Sequence, residues 1–241
     1  MRAISIIYRR ELGAYLRTPF GWIVAAVLLL AQGILFEAWA LRGENLSAVV
    51  LERFMWASSG VALIGGVILS FRLISEERQN HTMVLINTSP VRDSEIIYGK
   101  FFAAATFLLL YFILSLYIPL LIKVEGKVAM SQIIVGYLGL WLLGCSILAI
   151  GLFASALTKV QLIAALIAAV ITFVMVIVYQ LATRLDAPVK DVLEQVDLWW
   201  IHFQNGFMRG VLNLKDVVAY VATTYFFLLL AVKTLEAKRW Q

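Results

Sequence analysis

The sequence predicts an all-α integral membrane protein with six transmembrane helices. An N-terminal interfacial amphipathic helix precedes them, and a re-entrant or interfacial segment lies between helices 5 and 6. Three observations predict this. Of the 241 residues, 62% are hydrophobic and 15% charged, against roughly 45–50% and about 25% in an ordinary soluble domain, and mean hydropathy is +0.90. Apolar residues gather in six runs at or near the ~20 residues that cross about 30 Å of hydrocarbon. The runs lack the in-out alternation of barrel strands, which leaves helices as the way to satisfy every backbone N–H and C=O in lipid.

Residues 1–18 form the interfacial helix. At about 100° per residue, Ile4, Ile7, Tyr8, Leu12 and Tyr15 share one face and Arg2, Arg9, Arg10 and Arg17 the other. An apolar face dipped into the acyl boundary and arginines near anionic headgroups suit a helix lying on the membrane. Glu11 falls beside the apolar face, which leaves both an ion pair and simple exposure at the stripe's edge open. Thr18-Pro19 then stops the helix, because proline lacks an amide donor and restricts its predecessor, so the first span, 20–41, starts at an elbow. Ala38-Trp39-Ala40 resembles a signal-peptide cleavage site. The run before it is longer than an h-region, its basic leader is long, and Glu37 abuts the site, so it is kept as a span.

The next spans are 54–74, 101–122, 130–157 and 161–181. The last, 217–235, is the weakest, its uncharged part ending at Val232, with Lys233 placed to snorkel. No linker or repeat divides residues 1–241, so the chain reads as one membrane domain. With both termini inside, twelve of the 20 Lys and Arg residues lie on the inner side, and half of the other eight sit in the long loop before the last span. The short outer turns are thus poor in positive charge, which favours N-in and C-in.

Small residues recur four apart at Ala62, Gly66 and Ser70, at Gly151 and Ser155, and at Ala164, Ala168 and Thr172. Such stripes allow close helix approach, either across a dimer seam or inside one chain. Catalytic signals are thin. His81 and His202 are the only histidines, no Cys or His cluster has metal-ligand spacing, and Cys145 stands alone within a span. Ser58-Ser59 with His202 lacks any nucleophile setting, so no enzyme is read here. Glu37 and Arg72 lie near span ends and make no intramembrane relay, although Gln32 and Gln161 remain as candidate cavity-lining groups. The net charge of +5 comes from basic residues scattered at span ends, with no aromatic-interleaved platform for nucleic acid.

The chain also lacks the Gly-x-x-x-x-Gly-Lys-Ser/Thr loop that cradles nucleotide phosphates, so any ATP-driven work borrows its motor from another chain. The segment from Ser75 to Pro90 is the one sizeable inner loop. The long loop from Ala182 to Asp216 is its outer counterpart. There Val189, Val192, Leu193, Val196 and Trp200 recur at near-helical spacing, with Trp199, Phe203 and Phe207 alongside, a pattern suited to a re-entrant hairpin or an aromatic interfacial belt.

Along nearly its whole length the chain resembles the permease subunits of ABC-2 type ATP-binding cassette transporters, in the branch with gliding-motility and nitrous-oxide-reductase maturation permeases. The resemblance runs through Arg10-Glu11-Leu12, Tyr15-Leu16 and Pro19, then Glu76-Glu77-Arg78, Thr82, Leu85, Ser89-Pro90-Val91, Glu95-Ile96-Ile97 and Gly99-Lys100. It continues through Tyr137-Leu138-Gly139-Leu140, Ala149 to Thr158 and Gln161, and closes with His202-Phe203, Arg209-Gly210-Val211, Asp216 to Tyr220 and Lys238-Arg239-Trp240. His81 stands where glycine is expected and Val84 where relatives often carry an acid.

The resemblance implies a coupling helix over Thr82–Asn87 that starts at the contact residue Thr82, with Met83, Leu85 and Ile86 entering a groove on an ATPase subunit and Glu76, Glu77 and Arg78 shaping the approach. It implies outer re-entrant structure carrying Trp199, Trp200, His202, Phe203 and Arg209. It further implies a bacterial inner-membrane location, two ATPase subunits that hold ATP and Mg while this chain binds no cofactor, and a second copy or related permease beside it. An extracytoplasmic accessory protein is a further implied partner. The function expected is export or conformational work across the membrane. The alternatives are a mechanotransmission or assembly module without substrate flux, and a secondary transporter or channel needing no ATPase.

Overall fold

The computed structural model describes residues 2–43, 46–80, 91–184, 186 and 189–239, and every regular element among them is helical. Six helices among the described residues are long and apolar enough to span a membrane. Helix α1 (Arg2–Arg17) is followed by α2 (Pro19–Leu35), which continues as a π-helical turn over Phe36–Ala40. Then come α3 (Ser47–Ser70), α4 (Arg72–Gln79), α5 (Asp93–Ser115) and α6 (Tyr117–Glu125). Helices α7 (Met130–Leu157), α8 (Gln161–Ala182), the short α9 (Val189–Val196) and α10 (Leu214–Arg239) complete the chain.

Several helices outrun the apolar stretches that announce them. The second span begins at Ser47 rather than 54, the third at Asp93 rather than 101, and the sixth runs Leu214–Arg239 rather than 217–235. A helix does not stop where hydrocarbon stops, and its polar ends extend into the headgroup layer. At Asp93 the extension is built in locally, because the Glu95 side chain accepts from the Arg92 backbone N–H at 3.1 Å. This satisfies one of the donors left over at a helix start.

The elbow between α1 and α2 forms where proline predicts it. Pro19 opens α2, Thr18 Oγ1 donates to the Ala14 carbonyl at 2.6 Å, and Trp22 Nε1 donates to the Leu16 carbonyl at 2.8 Å. Gly21 lies so close to the Tyr15 backbone that a Cβ there has no room. The elbow folds α1 back onto the bundle, where Gly99 receives Ile7 and Tyr15 stacks on Phe107 with centroids 5.0 Å apart.

Helix α7 is the axis of the bundle. Of its most apolar window 72% is buried inside the chain, against 17% for α8 and 28% for both α2 and α10, so those three present most of their surface outward. The small-residue stripes explain how α7 comes to the centre. Gly66 of α3 packs against Ile147 and Gly144, and Gly151 of α7 packs against Ser70 and Ala168. The stripes of the second, fourth and fifth spans therefore meet one another within a single chain, where backbone approach replaces the hydrophobic drive that lipid removes.

Buried polar groups in the spans are tied to each other. Gln32 Nε2 donates to Ser58 Oγ at 2.7 Å and its Oε1 accepts from Tyr111 at 2.8 Å. Gln32 is thus a staple among three spans, fully buried, rather than the cavity-lining group its sequence position suggested. Tyr137 and Ser115 join the fourth span to the third, and Ser146 reaches Thr224 and the Tyr220 carbonyl of the sixth.

Candidate functional site: an ion-pair clamp at the end of α4

The second span does not run straight into the loop that follows it. It breaks at Phe71, with neither proline nor glycine at the break. The cause is Ser155, reaching in from α7. Its hydroxyl donates to the Phe71 carbonyl at 2.7 Å and accepts from the backbone N–H groups of Ile74 and Ser75 at 3.0 and 2.9 Å. A side chain inserted into the i to i−4 ladder is a recognised origin of a kink. Helix α4 is thereby set off from α3 at Phe71, whose own backbone stays in the helical region at φ −60° and ψ −28°, and is tied to the fourth span.

The far end of α4 is clamped by charge. Lys100, on the first turns of α5 and only 2% exposed, donates from Nζ to Glu11 Oε1 of α1 at 3.0 Å and forms an ion pair with Glu77 Oε1 of α4, also at 3.0 Å. Arg10 closes the ring from outside, 2.6 Å from Glu11 and 2.8 Å from Glu77. Four charges from three helices, two of each sign, neutralise one another where a lone lysine would be expelled. Burial alone would disfavour the Glu11 carboxylate. Lys100 and Arg10 outweigh that and hold its carboxyl below the usual range. Beside the ring lies a cavity of about 330 Å³ lined by these four residues and Tyr15, Arg72 and Glu76, among others. Arg72 pairs with Glu76 at 2.9 Å and lies 3.9 Å over the Phe20 ring.

The clamp sits near the two ends, residues 80 and 91, that flank residues 81–90, which lie outside the described residues. Separating any one of α1, α4 and α5 from the other two strands a buried charge.

At the opposite end, the chain between the fifth and sixth spans folds onto the bundle. Helix α9 stops at Val196 because Asp197 captures backbone donors, its Oδ2 accepting from the N–H groups of Trp199 at 3.1 Å and Ile201 at 2.8 Å. A π-helical turn (Trp200–Gln204) and a 3₁₀ turn (Phe207–Arg209) follow. Gly210, at φ 78°, ends the latter in the left-handed conformation that favours glycine. Trp199 Nε1 donates to Ser59 Oγ of α3 at 2.7 Å, Tyr220 of α10 donates to the Leu198 carbonyl at 2.6 Å, and Phe207 packs on Gly139 of α7. His202 Nδ1 meets Asp216 Oδ1 at 2.7 Å, both residues buried. Trp39, Trp56, Trp199 and Trp200 form a ladder at this end, with successive centroids 4.7, 5.6 and 4.8 Å apart.

A family model described as an ABC-2 family transporter protein matches residues 47–232. The chain belongs to that family. It is a permease subunit of an ABC transporter, a multi-pass membrane protein, and membership implies ABC ATPase subunits as partners. No curated protein matches the permease by sequence.

Of the residues singled out for ATPase contact, Glu77 turns inward to Lys100 and Arg10, and Glu76 is occupied by Arg72. Both are thus paired within the permease itself. Arg78 is half-buried at the end of α4, and Thr82, Met83, Leu85 and Ile86 lie outside the described residues. At the other end Trp199, His202 and Phe203 are buried, Trp200 is partly so and stacks on Tyr179, and Arg209 is exposed, 3.9 Å from Glu52. The apolar spacing that carries a helix through to Trp200 fails at Asp197.

Lys100, Ser155, Asp197 and Asp216 are the residues that sequence reasoning missed as site components. Only Glu11, misplaced on an amphipathic helix, signalled a buried partner.

Proposed function

We propose that this permease converts ATP-driven movement of an ABC ATPase partner into rearrangement of its spans through α4, and that the Arg10–Glu11–Glu77–Lys100 clamp is the joint. The buried Lys100 bridging α1, α4 and α5 carries this reading. The loop of residues 81–90 docks the ATPase by apolar anchors in a groove. Helix α4 then swings about Phe71, and the clamp makes the interfacial helix and the third span follow, biasing a two-state arrangement. In this reading the clamp end faces the cytoplasm, ATP and Mg are held by the partner, and the permease itself performs no chemistry. A second copy or a related permease completes the complex. The motifs from Arg10-Glu11-Leu12 to Lys238-Arg239-Trp240 favour the branch with gliding-motility and nitrous-oxide-reductase maturation permeases.

A second reading, force transmission to an extracytoplasmic partner without flux, is favoured by the segment between the fifth and sixth spans, which packs into that end of the bundle. Mild-detergent purification followed by mass spectrometry tests the ATPase partnership. An intact complex containing an ATP-binding subunit is expected, and its absence from a complex shown to be intact refutes the proposal. ATPase stimulation by a translocated compound selects transport, and ATP-dependent change in an outer partner without flux selects force transmission.

A further inference from the structure

We infer that Asp197, His202 and Asp216 form a proton-binding site that latches the segment between the fifth and sixth spans onto the transmembrane bundle. All three are buried, at 0, 1 and 5% exposure. Two carboxylates and one imidazole therefore share a region from which water is largely removed. With both acids ionised, two carboxylates face one imidazole and negative charge is left uncompensated, a costly state in such surroundings. A proton on one carboxylate relieves it.

The hydrogen bonds indicate where that proton goes. Asp216 lies in the first turn of α10, where an anion is favoured by the helix N-terminus. Its Oδ2 accepts from Asn213 at 3.2 Å and its Oδ1 from His202 Nδ1. Facing a carboxylate, Nδ1 must carry hydrogen. Asp197 Oδ2 is fully used by two backbone donors. Asp197 Oδ1 and His202 Nε2 are buried and make no hydrogen bond among the described residues. A proton on Asp197 Oδ1 discharges the carboxylate without disturbing the bonds to Oδ2 that end α9 and shape the turn. Burial pushes the Asp197 carboxyl up to about 6, against the opposing pull of the Ile201 N–H and the His202 ring.

Other titratable groups on the surrounding elements do not take this role. Tyr220 of α10 already donates to Leu198. Glu52 of α3 lies at the rim with Arg209, Lys190 and Glu194 of α9 pair at 3.8 Å, and Tyr179 of α8 is stacked on Trp200. Tyr137 of α7 is bonded to Ser115.

The sign follows from a raised carboxyl. The segment is seated most firmly below about pH 4, and that added stability is lost as pH rises through about 6. The test uses the full-length permease in nanodiscs. Infrared difference titration of wild type is expected to show a protonated-carboxyl band growing as pH falls through about 6, and Asp197→Asn is expected to lack it. Amide exchange over residues 198–206, divided by the intrinsic rate at each pH, is expected to be about 10-fold slower at pH 5 than at pH 8, the part of the shift developed one unit below a value of about 6. Asp197→Asn, which keeps an oxygen for the two backbone donors, is expected to abolish that difference, and His202→Gln to move the midpoint. A wild-type protein with no such band, an Asp197→Asn protein that still titrates, or an unmoved midpoint in His202→Gln overturns the inference. Should Asp197→Asn fail to fold, wild type and His202→Gln decide it.

Discussion

Replacing Lys100 by methionine removes the one cation that both carboxylates of the clamp share from inside. Methionine fills a similar volume, so packing is nearly conserved and the electrostatic loss dominates. Removing one partner of a buried ion pair costs about 3–5 kcal/mol. Glu11 and Glu77 are 15 and 14% exposed and keep Arg10, itself 56% exposed, so the low end applies. A loss of about 3 kcal/mol multiplies the unfolded fraction roughly 100-fold. The permease carries its own reporter, because Cys145 is its single cysteine and is buried in α7. A fluorescent maleimide reacts with it only when the bundle opens. In mixed micelles with rising denaturing detergent, the labelling rate under mild conditions should rise on the order of 100-fold in Lys100→Met. The triple variant with Glu11→Gln and Glu77→Gln should recover most of the loss, since the neutral amides leave only Arg10 unpaired, and its side chain is 56% exposed to solvent. A Lys100→Met rate within about twofold of wild type would show that the buried clamp does not hold these helices together.

Three further outcomes follow from the same geometry. Because the Glu11 carboxyl is held below its ordinary 4.5, the stability it contributes is present above that value and lost as pH falls through its folded one. A spin label on the exposed face of α1 should gain mobility on acidification below about pH 4, whereas gain on raising pH from 5 to 8 would contradict the pairing. Ser155→Ala removes the acceptor shared by the Ile74 and Ser75 N–H groups and should cost about 1–3 kcal/mol, read by Cys145 labelling, with α4 shifting relative to α7 in distance measurements by paired spin labels. Gly21→Ala forces a methyl group into the Tyr15 backbone and should cost about 1–3 kcal/mol in the same labelling assay, while a control such as Gly13→Ala, whose added methyl meets nothing within 4 Å, should not.

What could be read in advance depended on how local its cause was. The amphipathic α1, the elbow at Pro19 and the six apolar spans are set by neighbouring residues, so periodicity and proline chemistry reveal them. The break at Phe71 is caused by a serine 84 positions away, and nothing near Phe71 hints at it. Lys100 meets Glu11 across 89 residues, a pairing that only folding α1 back under the bundle creates. The small-residue stripes were visible, but a stripe says only that something approaches closely, and the same chain turned out to supply it. Asp197 was readable and overlooked. An aspartate after an apolar helical stretch is well suited to capture backbone donors, and it outweighs the continuing apolar spacing to Trp200.

The claim that matters most is that α1, α4 and α5 move as one body when the ATPase works. It is tested by spin-label distances in the permease–ATPase complex, with one pair across α1 and α4 and another from α4 to the segment between the fifth and sixth spans. On ATP binding the first distance should stay constant while the second changes. In Lys100→Met hydrolysis should persist while the second change is lost. Movement of α4 away from α1 in the wild-type complex, or a Lys100→Met complex that moves as wild type does, would contradict it.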